Sequence, residues 1–130
     1  MKPFFDTNIL VYAQTADTKG HIARELLTGG GTISVQVLNE FANVMRKKFT
    51  KSWAEIRLAI ADIEIALPNI RAISIDTHHK AMAICQAHGL SLYDALIVAA
   101  AAEEGCDCLW TEDLHHGTVI DGVNIQNPFR

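Results

Sequence analysis

Pro3-Phe4-Phe5-Asp6-Thr7-Asn8 is the stretch on which the reading of this chain turns. Two aromatic residues carry the chain into a core, and a carboxylate, a hydroxyl and an amide follow at once. That order describes a short buried strand that delivers an acid to its C-terminal end, with a helix beginning at Ile9. In open α/β sheets, ligands collect beyond the carboxyl ends of the strands, so Asp6 is a candidate site residue. A plainer role is also open to it. Asp6 could cap the helix that contains Ile9, Leu10 and Val11, worth about 0.5–2 kcal/mol against Ala. The choice depends on whether other acids arrive at the same place.

The rest of the chain repeats the alternation. Ile9 to Gln14 is expected to be a short helix, Thr15 to Gly20 a loop, and His21 to Thr28 a second helix ended by Gly29-Gly30-Gly31. No Lys-Ser/Thr pair follows the glycines, so they are a helix stop rather than a phosphate-binding P-loop. Thr32 to Val35 is expected as the second strand. From Gln36 the period becomes helical, with Val37, Leu38, Phe41, Val44, Met45 and Phe49 on a core-facing stripe and Glu40 beside it. Arg46, Lys47, Lys48 and Lys51 form the one dense basic patch, the best candidate for contacts to phosphate.

Ser52 opens a helix with Trp53, Ile56, Ile60, Ile63 and Leu67 on one face, and Glu55 completes a capping box. Ala72 to Ile75 is expected as the third strand, with Asp76-Thr77 capping the helix after it. Ser91 to Ala102 is apolar nearly all round and describes a central buried helix. Asp94 is the acid in its first turns, and Ser91 with Asp94 fits a capping box. Cys108-Leu109-Trp110 is a short buried strand followed by Thr111-Glu112-Asp113, the same order of apolar strand, hydroxyl and acid seen at Asp6. Leu114 to Asp121 is expected as loop and Val123 to Ile125 as a last strand at the sheet edge. The chain therefore predicts a single α/β domain over residues 1–130: a central parallel sheet with helices on both faces.

Composition sets limits. With 130 residues and 49% apolar content, the chain suits one domain with a real core. No run approaches the ~18 uninterrupted apolar residues of a membrane span, and the N-terminus does not resemble a signal peptide. Cys85, Cys106 and Cys108 are odd in number and include no C-x-x-C pair, which points to reduced thiols in the cytoplasm. The formal net charge of −4 argues against indiscriminate binding of nucleic acid. It does not exclude a nuclease, because four carboxylates neutralised by cations would leave the remainder near neutral.

Asp6, Glu40, Asp94 and Asp113 each follow a strand or open a helix, and a parallel sheet can bring all four to its carboxyl edge. Four carboxylates within a few ångströms cannot all stay ionised unless something neutralises them. Carboxylate oxygens suit Mg²⁺ or Mn²⁺. The six histidines offer no competing cluster, since H-E-x-x-H is absent. His115 and His116 lie close enough to Asp113 to touch a substrate. Ser34, Ser74 and Ser91 lack the glycines of a nucleophile elbow.

These motifs resemble the PIN-domain nucleases. Phe5-Asp6-Thr7-Asn8-Ile9-Leu10 looks like the opening motif of that family. Glu40 within Val37-Leu38-Asn39-Glu40-Phe41 matches the second acid, Asp94 within Ser91 to Ile97 the third, and Asp113 within Thr111-Glu112-Asp113-Leu114 the fourth. The order and approximate spacing agree to the Asn127-Pro128-Phe129 ending, and the nearest likeness is to compact VapC-like toxins. One departure follows the fourth motif, where many relatives carry a further Asp or Asn and this chain has Leu114, His115 and His116. The resemblance implies a Mg²⁺- or Mn²⁺-dependent endoribonuclease that acts on RNA, forms a homodimer and pairs with a cognate antitoxin. It assigns metal binding to Asp6, Glu40, Asp94 and Asp113. Asn8 and Thr111 are expected to orient carboxylates or water, and Arg46, Lys47, Lys48, His115 and His116 to contact substrate.

Two other readings stay open at this point. One is a phosphotransfer domain built on a strand-end aspartate, although a dehalogenase-like site needs a second Asp where this chain has Asn8. The other is a non-catalytic α/β interaction module in which all four acids are caps.

Overall fold

The computed structural model describes every residue from Met1 to Arg130. Six strands and six helices follow one another, with a pair of helices between successive strands up to β4 and three strands in a row at the end: β1 (Pro3–Phe5), α1 (Thr7–Tyr12), α2 (Thr18–Thr28), β2 (Thr32–Ser34), α3 (Val35–Lys47), α4 (Trp53–Ala66), β3 (Asn69–Arg71), α5 (Ile75–His88), α6 (Leu92–Glu103), β4 (Cys108–Trp110), β5 (Val119–Ile120) and β6 (Val123–Gln126). One sheet takes the order β3-β2-β1-β4-β6-β5. The pairs from β3 through to β6 are parallel, and β5 lies antiparallel to β6 at the edge.

This order places the site. From β1 the chain steps outward to β2 and β3, then returns past β1 to β4. Right-handed crossovers then put α1 to α4 on one face and α5 and α6 on the other. The packing agrees: α1 touches α2 and α3, α3 touches α4, while α5 lies along α6 and α6 covers β2, β4 and β6. The direction of winding reverses between β1 and β4, and a crevice opens there at the carboxyl ends of the two strands.

The core explains the central position of β1. Phe4 and Phe5 are fully buried, with Ile33, Leu109 and Ile125 from neighbouring strands. The alanine-rich α6 buries every residue from Ala95 to Ala101, so a helix apolar all round sits inside the domain as expected. No single helix is long and apolar enough to cross a membrane. Gly31 lets the chain pass Phe5: its φ is +153°, and a Cβ there would lie 2.5 Å from the Phe5 ring. Gly31→Ala is expected to cost about 2–3 kcal/mol by combined overpacking and backbone strain, read in a urea titration. A loss below about 0.5 kcal/mol would show that the Phe5 ring can move aside.

Several boundaries differ from the expectation, each for a local reason. Asp6 caps α1, which therefore starts at Thr7 instead of Ile9. Asp17 caps α2 by accepting from Gly20 N at 2.9 Å, so the helix takes in residues assigned to a loop. The third strand is Asn69–Arg71 rather than Ala72–Ile75, because Ser74 and Thr77 form a capping box that commits Ile75 to α5. Asp76 is thus a first-turn residue and not the cap. The last strand is not the edge. Asp121 and Gly122 take positive φ values of 48° and 81°, the signature of a two-residue hairpin, and fold β5 back along β6. Phe49 and Trp53 leave the core stripes and are 38% and 58% exposed.

The opposite end of the sheet is tied by charge. The Glu104 carboxylate accepts from Arg71 Nη1 at 2.9 Å and Asn69 Nδ2 at 2.8 Å, and Lys2 Nζ stands 3.4 Å away. Hydrogen bonds from Arg71 and Asn69 hold its pKa down to about 2. A carboxyl more acidic in the folded chain stabilises above its ordinary pKa and loses that contribution as pH falls through about 2. Glu104→Gln is expected to lower stability at pH 7 by about 1 kcal/mol and to leave it unchanged near pH 2. An equal loss at both pH values would assign the effect to packing.

Candidate active site

A cleft of about 410 Å³ opens where β1 and β4 end. Asp6, Glu40, Asp94 and Asp113 all line it, together with Thr7, Asn8, Tyr12, Lys48, Phe49 and Glu112. Four separate segments supply the acids: the end of β1, the second turn of α3, the first turn of α6 and the turn after β4.

The capping roles open to these acids divide. Asp6 is a genuine cap, and its Oδ1 accepts from Thr7 N at 2.6 Å. Glu40 is not, because Ser34 caps α3 and no acid lies in that helix's first turn. Asp94 is half of a box: Ser91 Oγ accepts from Asp94 N at 3.3 Å, but the Asp94 carboxylate does not return a bond to the Ser91 backbone. It faces the cleft.

Thr111 and Asn8 organise the floor. The fully buried Thr111 hydroxyl donates to Asp6 Oδ2 at 2.7 Å and accepts from Asp113 N at 3.1 Å. Asn8 Nδ2 donates to Asp113 Oδ2 at 3.1 Å and stands 3.4 Å from Thr111 Oγ1, while Asn8 Oδ1 accepts from Glu112 N at 3.2 Å. The strand-end acid and the turn bearing Asp113 are thereby joined. Thr7, which the motif reading passed over, donates its hydroxyl to Glu40 Oε2 at 3.1 Å. Its signal was its place beside Asp6, one step into a helix that opens on the sheet's carboxyl edge.

Electrostatics mark the site as unfinished. Asp6 is 5% exposed, and burial pushes its pKa up to about 7 against the hydrogen bonds from Thr111 and Thr7; Asp113 and Glu40 add like charge. Burial also raises Glu40, with Asp94 and Asp113 contributing, and raises Asp94, with Asp113 contributing. Excess negative charge in a partly closed cleft calls for a cation. No three of the acids stand close enough to ligate one ion directly. The donor set is hard oxygen throughout, and Mg²⁺ keeps several of its waters and uses one or two carboxylates. A hydrated divalent ion fits both the chemistry and the room.

The basic and imidazole candidates separate. Lys48 lines the cleft, whereas Arg46, Lys47, His115 and His116 do not. Arg46 lies over the Trp53 ring at 5.1 Å and donates to Lys51 O at 3.1 Å. Lys47 is exposed outside the cleft. His116 Nδ1 accepts from Asn127 N at 3.0 Å. Lys19 is a cation the sequence reading missed; it pairs with Glu112 at 2.9 Å and lies over the Tyr12 ring at 4.9 Å.

A doubly wound α/β domain with an acid-lined cleft at its switch point is the class these features define. Within it the chain belongs to the PIN-domain family, whose family model matches residues 4–119. A search of curated protein sequences gives no match. Among solved structures, the chain is similar to one from Klebsiella pneumoniae described as a toxin–antitoxin complex, with 27% identity, 98% of each chain covered and a TM-score of 0.73. It shares its fold with VapBC2 from Rickettsia felis bound to a promoter DNA fragment, at 22% identity, 98% of each chain and a TM-score of 0.72. It also shares its fold with VapC20 of Mycobacterium tuberculosis, described as a toxin that cleaves the sarcin-ricin loop, at 18% identity, 83% and 87% coverage and a TM-score of 0.65.

Proposed function

We propose that this protein is a metal-dependent endoribonuclease and the toxin of a toxin–antitoxin pair. The observation that carries the proposal is the meeting of Asp6, Glu40, Asp94 and Asp113 around one cleft, with burial pushing Asp6 up to about 7. The Klebsiella and Rickettsia structures, described as a toxin–antitoxin complex and as VapBC2, support an antitoxin partner, and the description of VapC20 supports RNA as substrate. We assign the four acids to binding Mg²⁺ or Mn²⁺. A divalent ion held there supplies Lewis acidity and lowers the pKa of water, the chemistry that phosphodiester hydrolysis needs.

The chain's own groups have distinct tasks in this reading. Thr111 and Thr7 hold Asp6 with its oxygens directed by hydrogen bonds, and Thr7 also orients Glu40. Asn8 fixes Asp113. Lys48 offers positive charge to a phosphate entering a cleft that otherwise repels it. The partnering of both Asp6 oxygens weighs against an aspartyl nucleophile. A homodimer in the cytoplasm completes the proposal.

The deciding experiment is thermal stability with and without Mg²⁺ or Mn²⁺, followed by RNA cleavage. At metal concentrations about a hundredfold over Kd, the wild type is expected to gain about 2.7 kcal/mol. Asp94→Asn is expected to lose most of that gain and the cleavage. No metal response in either protein, with or without RNA, together with no cleavage, would leave a non-catalytic module and overturn the nuclease reading.

A further inference from the structure

We infer that Lys48 and Phe49 form a nucleotide subsite on the wall of the cleft: Phe49 stacks on the base next to the scissile phosphate, and Lys48 meets the backbone phosphate beside it. The inference rests on the ribonuclease reading and adds which part of the chain grips the strand.

The helical period would carry Phe49 into the core with Met45. Instead α3 ends at Lys47 and the chain turns out. Lys51 N closes back on Met45 O at 3.1 Å around Thr50, whose φ is +53°. Glycine is the usual residue at such a helix stop, and a β-branched residue holds this conformation only under strain. Arg46 holds the turn from outside through Lys51 O and Trp53. The result is an aromatic residue, 38% exposed, on the wall of the acidic cleft beside Val44 and Lys48.

The other aromatic of the cleft is not available in this way. Tyr12 donates its hydroxyl to Glu112 at 2.9 Å, and its ring is covered by Lys19 at 4.9 Å and by Phe129 edge-on at 4.9 Å. Lys19 is itself paired with Glu112. Lys48 forms no ion pair. The cleft therefore presents one partly exposed aromatic with no aromatic or cationic partner and one unpaired cation, and they are adjacent in the chain. Single-stranded RNA is gripped by that combination, bases on aromatic faces and phosphates on cations. Phe49 has no hydrogen-bonding group, so this subsite tolerates any base.

The test uses short single-stranded oligoribonucleotides carrying 2-aminopurine at successive positions, bound in Ca²⁺ and checked on a gel to be intact. Phe49→Ala is expected to weaken binding about tenfold and to remove the fluorescence quench at one position. Phe49→Trp should restore both. Phe49→Leu keeps apolar volume without a π-face and should restore neither, which separates stacking from loss of fold. A strand abasic at that position should bind wild type and Phe49→Ala equally. Lys48→Met should reduce the slope of log K against log salt by about 0.7. Wild-type binding and quenching by Phe49→Ala would overturn the subsite alone and reassign Phe49 to a protein contact, as would an equal loss on the abasic strand. A wild type that neither binds nor cuts any strand would overturn the ribonuclease reading, and the subsite with it.

Discussion

Asp6→Asn is expected to make the metal-free protein more stable at pH 8 while abolishing its response to Mg²⁺ and its cleavage of RNA. The native state keeps a proton on Asp6 up to about pH 7, whereas the unfolded chain releases it near 3.8. Between those values the folded protein binds more protons, so its stability falls as pH rises through that window. A shift of this size corresponds to at most on the order of 4 kcal/mol at pH 8. Asn keeps the cap bond from Thr7 but fits the Thr111 hydroxyl less well, which leaves a net gain of about 2 kcal/mol. The melting temperature should then rise by roughly 5–10 °C, and cleavage should fall on the order of 10³-fold or more. Stability sacrificed for function at an acidic site is a general pattern. Melting curves across pH 4 to 9 with and without Mg²⁺ check the claim. An Asp6→Asn protein that is less stable without metal at pH 8, yet gains as much from Mg²⁺ as wild type, would sink it.

That outcome turns on a residue whose importance was legible from its neighbours. Phe4 and Phe5 announced a buried strand, and Asp6 followed it; Trp110, Thr111 and Asp113 repeated the pattern on a second strand. Parallel strands carry their ends to one edge, so two such motifs could be read as one place without knowing the strand order. The alanine-rich α6 was legible for a similar reason, since a helix apolar all round has nowhere to go but inside. What escaped were features set by competition between local signals. Ser74 and Thr77 drew Ile75 into a helix although its side chain favours a strand. Asp121-Gly122 made a hairpin that displaced the expected edge strand. The basic patch looked continuous, but Arg46 and Lys48 stand two residues apart at the last turn and cap of α3 and so point to opposite sides, Lys48 into the cleft and Arg46 onto Trp53. The Thr7–Glu40 and Lys19–Glu112 contacts join residues far apart in sequence, so only the folded chain reveals them.

The other large effect belongs to Thr111, a positioning residue. Its buried hydroxyl is the joint between Asp6 Oδ2 and the turn that carries Asp113. Thr111→Val keeps the shape and removes the joint. An unpaired oxygen on a buried carboxyl costs about 1–3 kcal/mol. The hydrogen bond from Thr111 is also the largest influence holding the pKa of Asp6 down against burial. Without it the carboxyl moves further up, and ionising it for metal binding requires higher pH. The expected result is a loss of metal affinity and of kcat/KM of about 10–100-fold at pH 7. The rising limb of the pH profile should move to the alkaline side, and activity should partly recover at pH 9 or at high Mg²⁺. Thr111→Ser retains the hydroxyl and should return the profile to its wild-type position, even if the lost methyl lowers stability. A merely structural role predicts a different pattern: both variants lose stability, and neither the pH profile nor the metal requirement moves. Cleavage rates against pH at several Mg²⁺ concentrations, measured with a melting curve for each variant, distinguish a hydroxyl that tunes Asp6 from one that only fills the core.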